Sequence, residues 1–198
     1  MKATDILREE HQVILRVLDC LAAAVERAER TRNLDVDTIH KVIEFSRGFV
    51  DACHHGKEEA RLFPVLGINN VSCPPGTQHI LLAEHQEGRE CVQAMAEQLD
   101  AHEKGDNTAA DRICILAHRY IEHLSQHIQK EDHCLFPNAD AQLSSSDGEA
   151  LLRGFEEVER REVGAGAHAR FLGIADELCR KWKVGSSAQP MQGCSCGH

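Results

Sequence analysis

His127-Ile-Gln-Lys-Glu131-Asp132-His133-Cys134-Leu135-Phe136-Pro137 has the same residue pattern as an earlier stretch, His54-His-Gly-Lys-Glu58-Glu-Ala-Arg-Leu-Phe-Pro64. Both read His, three residues, Glu, an acidic residue, two residues, then Leu-Phe-Pro, at a constant offset of 73 residues. A second echo precedes each copy, because Glu10-His11-Gln12 returns as Glu84-His85-Gln86 at an offset of 74. The repeat predicts two copies of one helical hairpin, each with a lone His on its first helix and a His-x3-Glu on its second.

Four helices are predicted from apolar residues that recur every three or four positions. They span about residues 4–30, 35–63, 77–104 and 108–137, with the second and fourth ending at Pro64 and Pro137, since the residue before a proline is pushed out of the helical region. Short connections make successive helices antiparallel neighbours. We therefore predict an all-α fold, an up-down-up-down four-helix bundle over residues 1–140.

A helical appendage is predicted after the bundle, over residues 141–184. Ser144-Ser-Ser-Asp147 is a helix cap signal, and Gly164-Ala-Gly166 interrupts the helical pattern. The appendage packs on the bundle or on a second subunit of a homodimer. Residues 185–198 are rich in Gly, Ser and Gln and predict a flexible tail, in which Cys194 and Cys196 form a further candidate cluster of unassigned role.

Composition excludes several classes of partner. The formal charge of −10 disfavours nucleic acids and anionic membranes. The sequence shows no signal peptide and no run of about 20 apolar residues. Without an export signal, the nine scattered cysteines are interpreted as reduced thiols. A cytoplasmic protein follows, and its 13 histidines hint at a metal.

An ionisable residue interrupts the apolar face of every predicted helix. Residues four apart lie one turn above each other on a helix, so the His and Glu of each His-x3-Glu point the same way. Burying such groups without a counter-charge costs several kcal/mol each, and a pair of divalent metals would remove that cost. Mixed imidazole and carboxylate donors suit Fe, Mn or Zn. The predicted metal ligands are His11, His54, Glu58, His85, His127 and Glu131.

These six residues, with Leu-Phe-Pro after each second-helix motif, resemble the hemerythrin-like (HHE cation-binding) family over roughly residues 5–140. The resemblance implies a four-helix bundle that holds a non-haem centre of two iron ions, with manganese or zinc as the weaker alternatives. It also implies dioxygen, nitric oxide or peroxide as the small-molecule ligand. The oxygen carriers of the family have His-x3-His on the third helix, whereas Arg89 stands four residues after His85 here. A simple oxygen-carrier role is therefore disfavoured.

Several neighbouring residues stay open as alternatives. His55 and Glu59 form an alternative pair one position later, although the alignment of the two motifs favours His54 and Glu58. His123, Asp132, Tyr120 and His168 each have a possible place at the site. Five histidines that fall outside the apolar faces of the predicted helices are interpreted as surface residues: His40, His79, His102, His118 and His133. Cys53 and Cys134 adjoin the ligand motifs, so oxidation there would perturb the site.

The predicted function is a di-iron protein that binds, senses or reacts with dioxygen, nitric oxide or peroxide. One rival is an enzyme on the same site, for nitric oxide reduction, peroxide removal or iron-centre repair. The other is a regulatory module whose metal only holds helices together, with zinc as a possible metal.

Overall fold

The computed structural model describes residues 2–71, 76–164 and 166–185, and this part of the chain is all-helical, without a strand. The predicted Cys194 and Cys196 cluster lies outside the described residues. The α-helices are α1 Ala3–Thr31, α2 Val36–Phe45, α3 Phe63–Ile68, α4 Thr77–Glu103, α5 Ala109–Lys130, α6 Phe136–Gln142, α7 Ser145–Val158 and α8 Ala167–Trp182. Four π-helical segments adjoin them: Ser46–His55, Glu58–Leu62, Glu131–Leu135 and Glu159–Val163.

Two predicted helix starts are confirmed by their caps. The side chain of Asp35 accepts a hydrogen bond from the Thr38 N–H at 3.0 Å and begins α2. Ser144 begins α7 with a reciprocal capping box, in which the Asp147 N–H donates to the Ser144 hydroxyl at 3.2 Å and the Ser144 N–H donates to the Asp147 carboxylate at 3.1 Å. Each side chain satisfies backbone donors that the first helical turn leaves unpaired.

The prediction that helices end at Pro64 and Pro137 is wrong. Helical backbone continues through each proline into α3 and α6. The turn just before each proline is π-helical, so the Phe63 N–H bonds to the Glu58 carbonyl and the Phe136 N–H to the Glu131 carbonyl, five residues back. A proline in the first turn of the following α-segment needs no N–H partner, which removes the usual cost of a proline inside a helix.

The buried polar residues lie between two apolar clusters. One cluster contains Ile14 of α1, Val92 of α4 and Leu124 of α5, and the other contains Leu7, Leu81 and Leu135. On α1 and α4, His11 and His85 fall between the residues that enter the two clusters. The site is therefore a polar layer with apolar packing on both sides.

The appendage helices α7 and α8 pack against the preceding helices. Phe155 of α7 joins the second apolar cluster, while Phe171 of α8 joins the first. The Trp182 indole N–H donates to the Thr38 hydroxyl at 3.0 Å. Phe171 lies directly against the backbone of Gly48, where a Cβ atom would stand 1.9 Å from its ring. Within the described residues, none of the helices has both the length and the apolar character needed to cross a membrane.

Candidate metal centre

The six side chains predicted as ligands come together in the interior. Their exposed fractions are at most 1%: His11, His54, Glu58, His85, His127 and Glu131. The histidines come from α1, the π segment Ser46–His55, α4 and α5. Both glutamates begin π segments; His54 lies in the preceding π segment, whereas His127 lies in α5. π-helical turns are rare and occur frequently at functional sites.

The imidazoles form two pairs. The Nε2 atoms of His11 and His54 are 3.0 Å apart, and so are those of His85 and His127. Two nitrogen ligands at about 2.1 Å from one metal, at a right angle, are about 3 Å apart. Each pair therefore has the spacing of two adjacent ligands of a single metal ion.

Each glutamate presents one oxygen to each imidazole pair. Glu58 Oε1 lies 3.6 Å from His54 Nε2, and its Oε2 lies 3.4 Å from His85 Nε2. Glu131 Oε2 lies 3.3 Å from His11 Nε2, and its Oε1 lies 3.3 Å from His127 Nε2. All four oxygens are buried without a hydrogen-bond partner. Buried polar atoms are almost always paired, so these orphaned oxygens fit a cation on either side of each carboxylate.

The outer nitrogen of every paired histidine is held by a carboxylate. His11 Nδ1 donates to Asp132 at 2.9 Å, and His54 Nδ1 donates to Glu10 at 3.0 Å. His85 Nδ1 donates to Glu59 at 2.8 Å, and His127 Nδ1 donates to Glu84 at 2.9 Å. An ionised carboxylate can only accept, so the proton sits on Nδ1 and the Nε2 lone pair faces inward. Metal-binding histidines show this arrangement almost without exception.

These outer carboxylates follow the internal repeat. Glu10 and Glu84 precede His11 and His85, while Glu59 and Asp132 follow Glu58 and Glu131. The histidines of the two Glu-His-Gln stretches were predicted as ligands, but the role of their glutamates was not predicted. The signal in the sequence is an acidic residue that precedes His11 and His85, and another that follows Glu58 and Glu131, in both copies of the repeat. Asp132 thus lies outside the inner group and orients His11.

His55 joins the inner group in addition to His54. It is 4% exposed, and both of its ring nitrogens lack a hydrogen-bond partner. Its ring stacks on that of His85, with 3.8 Å between the ring centroids. One nitrogen lies close enough to Glu58, His85 and His127 for these four to hold one metal ion. In an α-helix, adjacent residues point about 100° apart, whereas the wider π turn brings both histidines inward. His54 with Glu58 and His55 with Glu59 were predicted as alternatives, but residues of both pairs belong to the site. His55 joins the inner group, and Glu59 accepts the hydrogen bond from His85 Nδ1.

The electrostatics of the site reflect this crowding. Burial works against the charged form of His11, but Asp132 and Glu131 outweigh it and raise the pKa of His11 to about 9. Burial also works against the charged form of His127, but the carboxylates of Glu131 and Glu84 outweigh it and raise the pKa of His127 to about 10. Burial and the neighbouring imidazoles lower the pKa of His55 well below its ordinary value. Two lone pairs 3.0 Å apart repel each other, so each pair holds a proton until a metal replaces it.

The remaining candidates lie outside the inner group. His123 contacts the Glu84 carbonyl oxygen at 2.8 Å through Nε2. His168 Nε2 lies 3.8 Å from Glu10 Oε1, whereas His54 contacts the other oxygen of that carboxylate. His168 forms a separate group with Glu10 and Glu159. Tyr120 is buried and lines a cavity beside the site. Of the five histidines predicted to lie at the surface, four are exposed and His102 is half-buried.

Arg89, the departure from the oxygen carriers, is paired away from the inner group. Its Nε donates to Asp51 at 2.7 Å and its Nη2 to Glu59 at 2.5 Å. Cys53 is buried near Glu10 at 3.9 Å, and burial raises the pKa of its thiol to about 12. Cys134 is half-buried.

One comparison with known proteins identifies a family. The family model described as "Hemerythrin HHE cation binding domain" matches residues 2–139, which include every helix that contributes to the two imidazole pairs. No curated protein and no solved structure matches the chain. The match spans well over half of the sequence and confirms the resemblance drawn from the repeated motif, so the chain belongs to the hemerythrin HHE cation-binding family.

Proposed function

We propose that the protein holds two iron ions between its imidazole pairs and uses them to bind, sense or react with dioxygen, nitric oxide or peroxide. The observation that supports this most strongly is the arrangement of Glu58 and Glu131, whose four orphaned oxygens face both pairs. Carboxylates that bridge two metals need this orientation. The surrounding fold is proposed to be an up-down-up-down four-helix bundle.

The residues present fit two metals of the iron type. His11 and His54 would hold one ion, and His85 and His127, with His55 in reach, the other. Glu58 and Glu131 would be shared between them. Four protein donors at one ion leave positions open, unlike the closed tetrahedral sites of structural zinc. Bound iron would supply redox chemistry and an open position for a small molecule. The chain's own residues orient the rings through Nδ1 and pack apolar side chains on two sides of the site.

Metal analysis tests the proposal. Protein expressed with ample iron and purified in air should hold about two irons and show near-ultraviolet charge-transfer bands. Glu58→Ala should lose at least one iron, whereas Glu122→Ala, at an exposed position of α5, should keep both. Colourless protein that holds only zinc would contradict the proposal.

An enzyme on the same site is the second candidate, favoured by a cavity of about 470 Å³ that reaches His55, His85 and His127. A site that only senses a diatomic molecule does not need a cavity of that size. Turnover of nitric oxide or peroxide that disappears in Glu58→Ala would favour the enzyme. A reversible spectral change without turnover would favour binding or sensing.

We also propose a cytoplasmic location. The six described cysteines are free thiols, five of them buried, an arrangement typical of a reducing compartment. The homodimer stays a prediction, and light scattering on the purified protein tests it.

A further inference from the structure

The two halves of the site differ at positions that the repeat makes equivalent. At the offset of 74, Gly88 of α4 corresponds to Ile14 of α1, and at the offset of 73, His55 corresponds to Ile128. Ile14 and Ile128 are buried in the first apolar cluster. The His85–His127 half of the site thus has Gly88 where the His11–His54 half has Ile14. It is also contacted by His55, an imidazole without a hydrogen-bond partner, whose counterpart in the repeat is the apolar Ile128.

The cavity lies where these two differences meet. It is lined by residues of the π segment Ser46–His55, α4 and α5, among them Gly88 and His55. Its volume of about 470 Å³ is more than ten times the space of one water molecule, about 30 Å³, and falls in the range of small-molecule sites. A diatomic ligand does not need this space.

The lining indicates the chemical class of the ligand. Val50, Val92 and Leu124 supply apolar walls, together with the ring of Tyr120. Both lining arginines are engaged: Arg89 by Asp51 and Glu59, and Arg47 by Gln93 at 2.8 Å.

The lining acids outnumber these two cations: Asp51, Glu84, Glu90 and Glu97. The two lining imidazoles of the inner group, His85 and His127, are likewise engaged by Glu59 and Glu84. An anion would therefore meet no cation that lacks a partner in the described lining, and burial of an uncompensated charge is costly. The walls therefore favour an uncharged molecule with an apolar body.

We propose that this cavity binds an uncharged organic molecule whose single nitrogen or oxygen donor points to His55 and the His85–His127 pair. That the donor would contact a metal rests on the proposed function. That the molecule binds in the cavity rests on the protein's own side chains. The His11–His54 half has Ile14 and Ile128 in place of this opening, so the organic molecule reaches only one half of the site.

The test uses 4-phenylimidazole at pH 8 as the uncharged probe and benzoate as a charged probe of similar size. Binding is followed by NMR of the labelled methyl groups of the full-length wild-type chain, both metal-free and iron-loaded. We expect 4-phenylimidazole to shift the methyl signals of Val50, Val92 and Leu124, and benzoate to bind at least about tenfold more weakly. Shifts confined to other methyl groups, or tighter binding of benzoate, would overturn the proposal.

A variant separates this cavity from other binding. Gly88→Ile gives the second half the residue of the first, and should weaken 4-phenylimidazole binding by about tenfold or more. The Cβ atom itself has room, because its nearest neighbour is a Tyr120 ring carbon at 4.0 Å. Gly173→Ile, the same change on the exposed face of α8, should leave the affinity unchanged. Equal affinity in wild type and folded Gly88→Ile would sink the idea, and the methyl shifts of wild type decide it if that variant does not fold.

The arms distinguish the two proposals. Iron content reports on the di-iron function, while binding to the metal-free chain reports on the cavity. Probe binding without iron uptake would remove the proposed function and keep the pocket, and iron uptake without probe binding would do the reverse.

Discussion

At the residue scale, the paired histidines are prepared for a metal by the groups behind them. Each ring has one nitrogen fixed by a carboxylate at 2.8–3.0 Å, which sets both its tautomer and its orientation. The inner nitrogens then converge without any need for the rings to rearrange. Such preorganisation lowers the entropic cost of binding, because the side chains are already immobile.

Asp132→Ala tests this preparation. Removal of the carboxylate leaves the His11 ring without the acceptor at 2.9 Å, so we expect metal affinity to fall by about 10- to 100-fold. Competition with a chelator of known affinity measures it. Asp111→Ala removes only the exposed ion pair with Arg32 and should not change the affinity. An unchanged affinity in Asp132→Ala would show that the ring is held by packing alone.

Metal binding should depend on pH through the raised pKa values of His11 and His127. A metal must displace the proton of each ring, and these pKa values are about 9 and about 10. Affinity should therefore rise from pH 6.5 to about 9, by about tenfold per pH unit for each proton displaced. Chelator competition at successive pH values measures the slope. A flat profile between pH 7 and 9 would contradict this account.

The metal-free protein should show the opposite trend in stability. Because both pKa values lie above the ordinary value of histidine, the stabilisation by the charged rings is complete below about pH 6.5. It is lost as the pH rises through about 9 to 10. Urea unfolding of the metal-free chain at pH 6.5 and pH 10 checks the sign.

At the element scale, the π segments decide which side chains enter the site. Three of the four begin or end at a ligand motif, and one of these, Glu58–Leu62, recurs in the second copy of the repeat as Glu131–Leu135. The hydrogen-bonding ladder widens there, which brings His55 inward beside His54 and lets the chain continue through Pro64. The irregular backbone is thus part of the repeated unit.

Gly48→Ala tests how α8 docks on the π segment Ser46–His55. The new methyl group would lie 1.9 Å from the buried ring of Phe171, so the ring or α8 must move. We expect a loss of about 1–3 kcal/mol in the free energy of unfolding, measured in urea. Gly173→Ala on the exposed face of α8 meets no neighbour within 4 Å and should stabilise by up to about 1 kcal/mol. Equal stability of the two variants would mean that α8 docks elsewhere.

Lys57 and Lys130 occupy equivalent places in the repeat but different environments. Lys57 is fully buried, pairs with Glu10, and reaches Glu159 of the appendage at 2.6 Å. Lys130 pairs with Glu84 and is 48% exposed. The appendage therefore closes the outer side of one half of the site.

Lys57→Met should cost about 3–5 kcal/mol in the free energy of unfolding, because it leaves the buried Glu10 carboxylate without its cation. Lys130→Met is the matched control and should cost no more than about 1 kcal/mol, since water screens the exposed pair. Urea unfolding of both variants in the metal-free state measures the difference. Equal losses would show that the appendage does not isolate Glu10 from water.

At the scale of the whole molecule, a polar layer interrupts an otherwise apolar interior. Seven buried ionisable side chains lie between the two apolar clusters: His11, His54, His55, Glu58, His85, His127 and Glu131. The metal-free chain bears the desolvation of this layer with only partial compensation from protons. The layer is consequently the place where a ligand can stabilise the entire fold.

Metal removal should lower the melting temperature markedly. A metal at a free concentration of about 1,000 times its dissociation constant adds about 4 kcal/mol to the free energy of unfolding. For a chain of this size, this corresponds to a rise in melting temperature of roughly 8–16 °C. Calorimetry before and after dialysis against a chelator measures the change. Readdition of iron should restore it, and a melting temperature insensitive to metal would contradict a metal inside the polar layer.

The repeated motif alone is enough to predict the family, the all-helical class and the six inner residues, because a repeat of polar residues on apolar helix faces can be recognised along the chain. Residues such as Asp35 and Ser144 also act locally, within a few positions of the backbone they cap. The other features of the site depend on how the helices pack against one another. The inward turn of His55, the choice of ring that each outer carboxylate contacts and the cavity at Gly88 depend on π-helical turns and on contacts between residues 26 to 121 positions apart, which no local pattern encodes.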